Sequence, residues 1–173
     1  STHAEYTLIL AGDHLYRMDF RPMIEFHLDC DAEITVAVQP VLREDAGRFG
    51  LLKRTPEKRI TDFAEKPTDP AVLERMVSRD DPARPFLGSM GIYLFKTSVL
   101  HELLENSTHT DFGGQVLPET ITSHRVFGYD VDDYWEDIGT IRSFYETNLA
   151  LAQPDPPFNF FDPQRPIYTH ARF

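Results

Sequence analysis

Apolar and polar positions alternate along this chain with two periods. Residues 6–11 form a short apolar run ending in Ala11-Gly12-Asp13, which predicts a buried strand followed by a turn. Met23, Ile24, Phe26 and Leu28, behind Pro22, have helical spacing over 21–28. The β-branched stretch 34–38 returns to strand, so strand, helix and strand predict a βαβ unit with a right-handed crossover. Two short strands, 49–54 and 59–65, flank Thr55-Pro56-Glu57-Lys58 and read as a hairpin. Helical spacing recurs at 70–78, 97–104, 115–122 and 141–151, and strand patterning at 86–95, 126–129 and 133–135. No internal repeat interrupts this order. The fold class is therefore α/β, a Rossmann-like mixed sheet with flanking helices.

After Ala152 the periodicity stops. Gln153-Pro154-Asp155-Pro156-Pro157 is a proline-rich break, and the remainder keeps the aromatics Phe158, Phe160, Phe161 and Tyr168, which need cover. Expected boundaries are 1–152 for an α/β domain and 153–173 for a linker to whatever follows.

Charge narrows the partners. A formal net charge of −11 excludes the basic surface that nucleic acid or an anionic membrane requires. No apolar run reaches the length of a membrane span and no signal peptide is visible, so a cytoplasmic setting is expected. The single cysteine, Cys30, fits a buried helix face. The seven histidines form no ligand cluster, which argues against zinc. Phosphate, if bound, must meet a few placed cations. Of four lysines, Lys53, Lys58, Lys66 and Lys96, only Lys66 stands between an acid and a proline at the end of an alternating strand.

Open α/β sheets bind ligands at the carboxyl ends of their strands. Asp13, behind the first strand, is thus a candidate metal ligand, and equally a turn cap. Asp137, in Tyr134-Trp135-Glu136-Asp137-Ile138-Gly139-Thr140, has the same two readings. Glu65 can accept hydrogen bonds from hydroxyls and Lys66 can meet a phosphate, or the two can form a surface ion pair. Ser89 and Tyr93 are four apart on a strand and share a face. Gly50 either admits close backbone approach or ends a strand. Trp135 walls a site or fills a core, His14 orients or packs, and Gly113-Gly114 reads as a turn.

Read together, AGDHLYRMDF, Phe63-Ala64-Glu65-Lys66-Pro67, Ser89-Met90-Gly91-Ile92-Tyr93-Leu94-Phe95, Asp111-Phe112-Gly113 and DYWEDIGTIRSFYETNLAL resemble the sugar-1-phosphate nucleotidyltransferases, most closely their ADP-glucose-forming branch. The resemblance covers nearly the whole chain. It implies an enzyme that makes ADP-glucose and pyrophosphate from ATP and glucose 1-phosphate in glycogen or starch synthesis, as a cytoplasmic homotetramer. It further implies Mg²⁺ held by Asp13 and Asp137, catalytic roles for Asp13, Lys66 and Asp137, and substrate contacts from Gly50, Glu65, Lys66, Ser89, Tyr93 and Trp135. The family's opening glycine-rich nucleotide loop has no counterpart here, so an internal segment of a longer enzyme, inactive alone, is expected, its last residues leading into a left-handed β-helix domain. A uridylyl-, guanylyl- or thymidylyltransferase, or a non-catalytic regulatory paralogue, is the alternative.

Overall fold

The computed structural model describes residues 4–105 and 112–167, and in it the chain forms two compact units. The first comprises the residues up to Ala11 together with Asp19–Asp132; the second comprises Gly12–Met18 and the residues from Asp133 onward.

The first unit is built on a six-stranded mixed sheet, as the sequence pattern requires. Its strands are β1 (Tyr6–Ile9), β3 (Ile34–Val41), β4 (Gly50–Arg54), β5 (Ile60–Glu65), β6 (Phe86–Lys96) and β7 (Val126–Asp130), in the order β5-β4-β6-β3-β7 with β1 also paired to β6. Only β3 and β7 pair in parallel; every other ladder is antiparallel. Because β1 and β3 are both antiparallel to β6, they run in the same sense but are not neighbours. The expected βαβ unit is therefore split by a strand from later in the chain. β1 is half-buried, not buried as expected, since it pairs along β6 alone.

Neighbouring residues on each strand divide between two cores. Leu52, Phe63 and Leu87 pack with Ile34, Val36, Phe95 and Val126 beneath α3 (Thr97–Glu105) and α4 (Leu117–Ser123). Leu51, Ala64 and Phe86 pack with Val41 beneath α2 (Pro70–Met76) and the 3-10 turn Arg43–Arg48. This is the period of two that a pleated strand imposes, realised on both faces at once. Hence the near-continuous apolar wording of β3 and β6.

Helix α1 (Arg21–Asp29) forms where predicted, but its buried stripe differs. Met23 and His27 are buried while Ile24 and Leu28 are 36% and 50% exposed, so a histidine takes the core position the apolar count had given to leucine. Gly113-Gly114, expected in a turn, lies in a π-helical stretch, Phe112–Val116, that runs into α4; Asp111 and Tyr168 lie outside the described residues. The hairpin between β4 and β5 is as predicted. Its turn places Lys58 at φ 69° and the ammonium 3.2 Å from Asp130 on β7, where Arg54 also donates at 2.8 Å. Burial pulls the Asp130 carboxyl up, but these two cations outweigh it and leave the group below its usual range.

The second unit is small. Strands β2 (His14–Tyr16) and β8 (Trp135–Asp137) form an antiparallel pair, followed by α5 (Ile141–Leu151) with the bounds the periodicity predicts. β2 was not anticipated, since three residues carry too little alternation to read. The segment beyond α5 packs within this unit: Phe158 contacts Tyr134 and Phe160, and Arg17 lies over the Phe158 ring and 3.8 Å from Asp162. The cover expected for these aromatics is only partly met: Phe158 is half-buried, whereas Phe160 is 38% and Phe161 90% exposed.

His27 makes the first unit's stability depend on pH. It is 1% exposed, its Nδ1 lies 2.7 Å from Thr35 Oγ1, and its Nε2 has no hydrogen-bond partner among the described residues. Burial first, then the Lys96 charge, lower its pKa from 6.5 to about 4, with Asp31 pulling weakly the other way. The unfolded chain takes up this proton at higher pH than the folded one, so stability is full above about pH 6.5 and falls as pH drops towards 4. The expected loss is roughly 2–4 kcal/mol. Denaturant unfolding of the protein and of His27→Leu across this window checks it: the substitution should flatten the slope, and an unchanged slope would exclude His27 as its source.

Candidate active site

Of the sequence-predicted site residues, Asp13, Trp135 and Asp137 fall in the second unit and Gly50, Glu65, Lys66, Ser89 and Tyr93 in the first. Each group has its own geometry.

In the second unit the β2–β8 ladder sets His14 opposite Asp137 and Tyr16 opposite Trp135. Asp13 precedes β2 directly, and its carbonyl accepts the Ile138 N–H at 3.2 Å. The two acids thus lie side by side at one end of the hairpin. Gly139 reports how close they come: a Cβ built there would lie 3.0 Å from Asp137 Oδ1 and 3.4 Å from Asp13 Oδ2. Both carboxylates border a point that stays open because residue 139 has no side chain. Asp137 Oδ1 also accepts the Gly139 N–H at 2.8 Å.

Neither acid caps a helix. The N-cap of α5 is Thr140, whose hydroxyl accepts the Ser143 N–H while Ser143 returns a bond to the Thr140 N–H, a reciprocal box that fixes the helix start just behind Asp137. Among the described residues no backbone N–H reaches the Asp13 carboxylate, and its side chain is 68% exposed. His14 Nε2 lies 3.6 Å from Asp13 Oδ1, and the His14 ring meets Trp135 edge-on with centroids 4.9 Å apart. Trp135 is therefore half-buried against His14.

Two carboxylates beside one open point, Asp13 exposed and Asp137 half-buried, joined by no thiolate, offer hard oxygen donors. This suits a small dication that keeps several waters and takes one or two carboxylates from the protein. Magnesium fits these residues. No group of three or more acid, histidine or cysteine side chains gathers at one point among the described residues.

In the first unit, Gly50 opens β4 opposite Glu65, the last residue of β5. A Cβ on Gly50 would come within 2.6 Å of the Phe63 ring and 2.9 Å of Glu65 Oε2. A side chain here would have to displace the Phe63 ring and the Glu65 carboxylate, so glycine lets both take their places at this strand end. Lys66 follows at φ 43°, a left-handed conformation rare outside glycine and asparagine, with its N–H held by the Phe49 carbonyl at 3.1 Å.

The lysines differ in how firmly they are engaged. Lys53 donates to the Arg75 carbonyl at 2.7 Å, Lys58 pairs with Asp130 at 3.2 Å, and Lys96 with Asp31 at 3.0 Å. Among the described residues Lys66 has only Glu65 at 3.8 Å, and its side chain is 63% exposed. So loose a surface pair is worth well under 1 kcal/mol and costs little to break.

Ser89 and Tyr93 do meet, with hydroxyls 3.4 Å apart. Gly139 and Thr140 were not singled out by sequence reasoning. The signal for Thr140 was present, a hydroxyl residue at the start of a helical pattern; for Gly139 only the fold supplies it.

A profile of the nucleotidyl transferase family matches residues 1–154.

The cap predicts a measurable effect. Thr140→Ala should lower stability by about 1 kcal/mol, seen as a shift in denaturation midpoint at unchanged slope. No shift would mean that α5 starts without its capping box.

Proposed function

This chain belongs to the nucleotidyl transferase family, and we propose that it is the catalytic portion of a glucose-1-phosphate adenylyltransferase, which forms ADP-glucose and pyrophosphate from ATP and glucose 1-phosphate. Membership supports sugar-1-phosphate nucleotidyl transfer in general. The adenine base and glucose rest on the wording of residues 89–95 and 134–151. Residues 1–152 would be catalytic and 153–173 the approach to a β-helix domain. A cytoplasmic homotetramer serving glycogen or starch synthesis completes the same proposal; among the described residues no helix is long and apolar enough to cross a membrane.

The observation that carries the reading is the pair of carboxylates beside Gly139. Nucleotidyl transfer joins a sugar-phosphate oxygen to the α-phosphorus of a nucleotide as pyrophosphate leaves, and negative charge must be neutralised and held in line. Asp13 and Asp137 would hold Mg²⁺, which when bound supplies charge neutralisation and polarisation. No general base is needed, because the attacking phosphate oxygen is already charged, and His14 is better cast in orienting Asp13.

Glu65 would accept hydrogen bonds from sugar hydroxyls and Lys66 would meet the sugar's phosphate. Ser89 and Tyr93 would add hydroxyl contacts, with Gly50 making room for Glu65 and Trp135 backing the metal-binding hairpin. A regulatory paralogue without activity would have no need of both acids.

In the full-length enzyme, turnover assayed with ATP, UTP, GTP and dTTP tests the base: ATP should be preferred, and preference for another would reassign the enzyme within the family. Asp13→Asn should cut kcat strongly and weaken Mn²⁺ binding followed by titration, while leaving the fold intact. Unaltered metal binding would remove Asp13 from the metal site. Lys66→Ala should raise the KM for glucose 1-phosphate about 10- to 150-fold through loss of one charge-assisted bond worth roughly 1.5–3 kcal/mol. kcat should fall less and the KM for ATP should barely move. An unchanged sugar-phosphate KM would leave Lys66 as a surface residue.

A further inference from the structure

Ser89 and Tyr93 share a face on any strand, yet that alone does not bring their hydroxyls together. Four residues of regular strand separate Cα atoms by about 13 Å, and side chains standing off the sheet keep that spacing. In the structure the hydroxyls are 3.4 Å apart. The ladder with β3 shows why. Val36 pairs with Tyr93 and Val38 with Ser89, so two steps along β3 correspond to four along β6, and β6 carries two surplus residues between its own partners.

The surplus falls where β6 changes neighbours. On its other edge β4 pairs with Leu87 and Gly88, and β1 with Tyr93–Lys96, which leaves residues 89–92 outside both ladders. At the centre of this stretch Gly91 has φ 66°, the only glycine in the left-handed region among the described residues. Its N–H turns inward to donate to Ser89 Oγ at 3.3 Å. The strand thus bulges at Gly91, and the Ser89 hydroxyl there meets both the Gly91 amide and the Tyr93 phenol within a strand that is otherwise largely buried and apolar.

We propose that Gly91 is a positioning residue of the sugar-phosphate site: its left-handed backbone creates the β6 bulge that aims Ser89 and Tyr93 at one ligand. A β-branched residue cannot hold φ 66° without strain and would pull the strand towards regular pairing, drawing the hydroxyls apart. Asparagine tolerates this conformation and would keep the bulge. The proposal rests on the reading of Ser89 and Tyr93 as sugar-phosphate contacts, and its test separates the two.

Steady-state kinetics and crystal structures of the full-length enzyme carrying Gly91→Val, Gly91→Asn or the double substitution Ser89→Ala/Tyr93→Phe decide it. Gly91→Val should raise the KM for glucose 1-phosphate roughly 10-fold, as the double variant does, with the KM for ATP unmoved and the two hydroxyls beyond hydrogen-bond reach. Gly91→Asn should restore both the KM and the hydroxyl contact. Should Gly91→Val fail to fold, Gly91→Ala read against Gly91→Asn decides by the same split. A folded Val or Ala variant with unchanged sugar-phosphate KM overturns the proposal, as does a variant whose hydroxyls stay in contact. If the double variant alone leaves the KM unchanged, the sugar-contact reading fails and the proposal falls with its premise, while the hydroxyl separation still reports whether Gly91 makes the bulge.

Discussion

Strand β6 is the constraint from which the first unit is organised. It pairs with β3 along one edge and with β4 and then β1 along the other, so three ladders of the sheet run through it. A strand in that position has cores on both faces and must be apolar on both. Phe86, Leu87, Met90, Ile92, Leu94 and Phe95 are all at most 2% exposed, and each such side chain contributes about 1.5–3 kcal/mol on burial. Only the segment around Ser89 and Gly91 departs from that wording, at the place where one edge passes from β4 to β1. The polar interruption costs burial, and the hydrogen bonds of the bulge offset it.

Electrostatics divides the two units differently. In the first, most cations are committed: Arg54 and Lys58 to Asp130, Lys96 and Arg125 to Asp31, Arg75 to Asp62 and Arg43 to Glu74. These pairs tie neighbouring strands, turns and helices and leave Lys66 as the most weakly held lysine. In the second unit Asp13 and Asp137 stand beside one another without a committed cation among the described residues, an arrangement that repels itself unless a positive partner arrives. An overall charge of −11 makes such an uncompensated pair more expensive still. Among the described residues, Lys66 and this acid pair are thus charges that the fold leaves weakly committed.

The sequence by itself determined the α/β class, the hairpin at 55–58, the five α-helices among the described residues and, to within a residue, the bounds of β4, β5, β6 and β7, because each rests on local periodicity and turn chemistry. It also pointed to Asp13, Glu65, Lys66 and Asp137, since acids and a lysine at strand ends are visible without coordinates. Tertiary structure decided what depends on partners distant in the chain. The insertion of β6 between β1 and β3, the burial of His27 in place of Leu28, and the three-residue strand β2 all arise from pairing that no local pattern encodes. The same holds for the site's spacing. That Asp13 and Asp137 border one point at Gly139, and that Ser89 reaches Tyr93 through a bulge, follow from register between segments, which a side-chain pattern with a period of two restricts but does not specify.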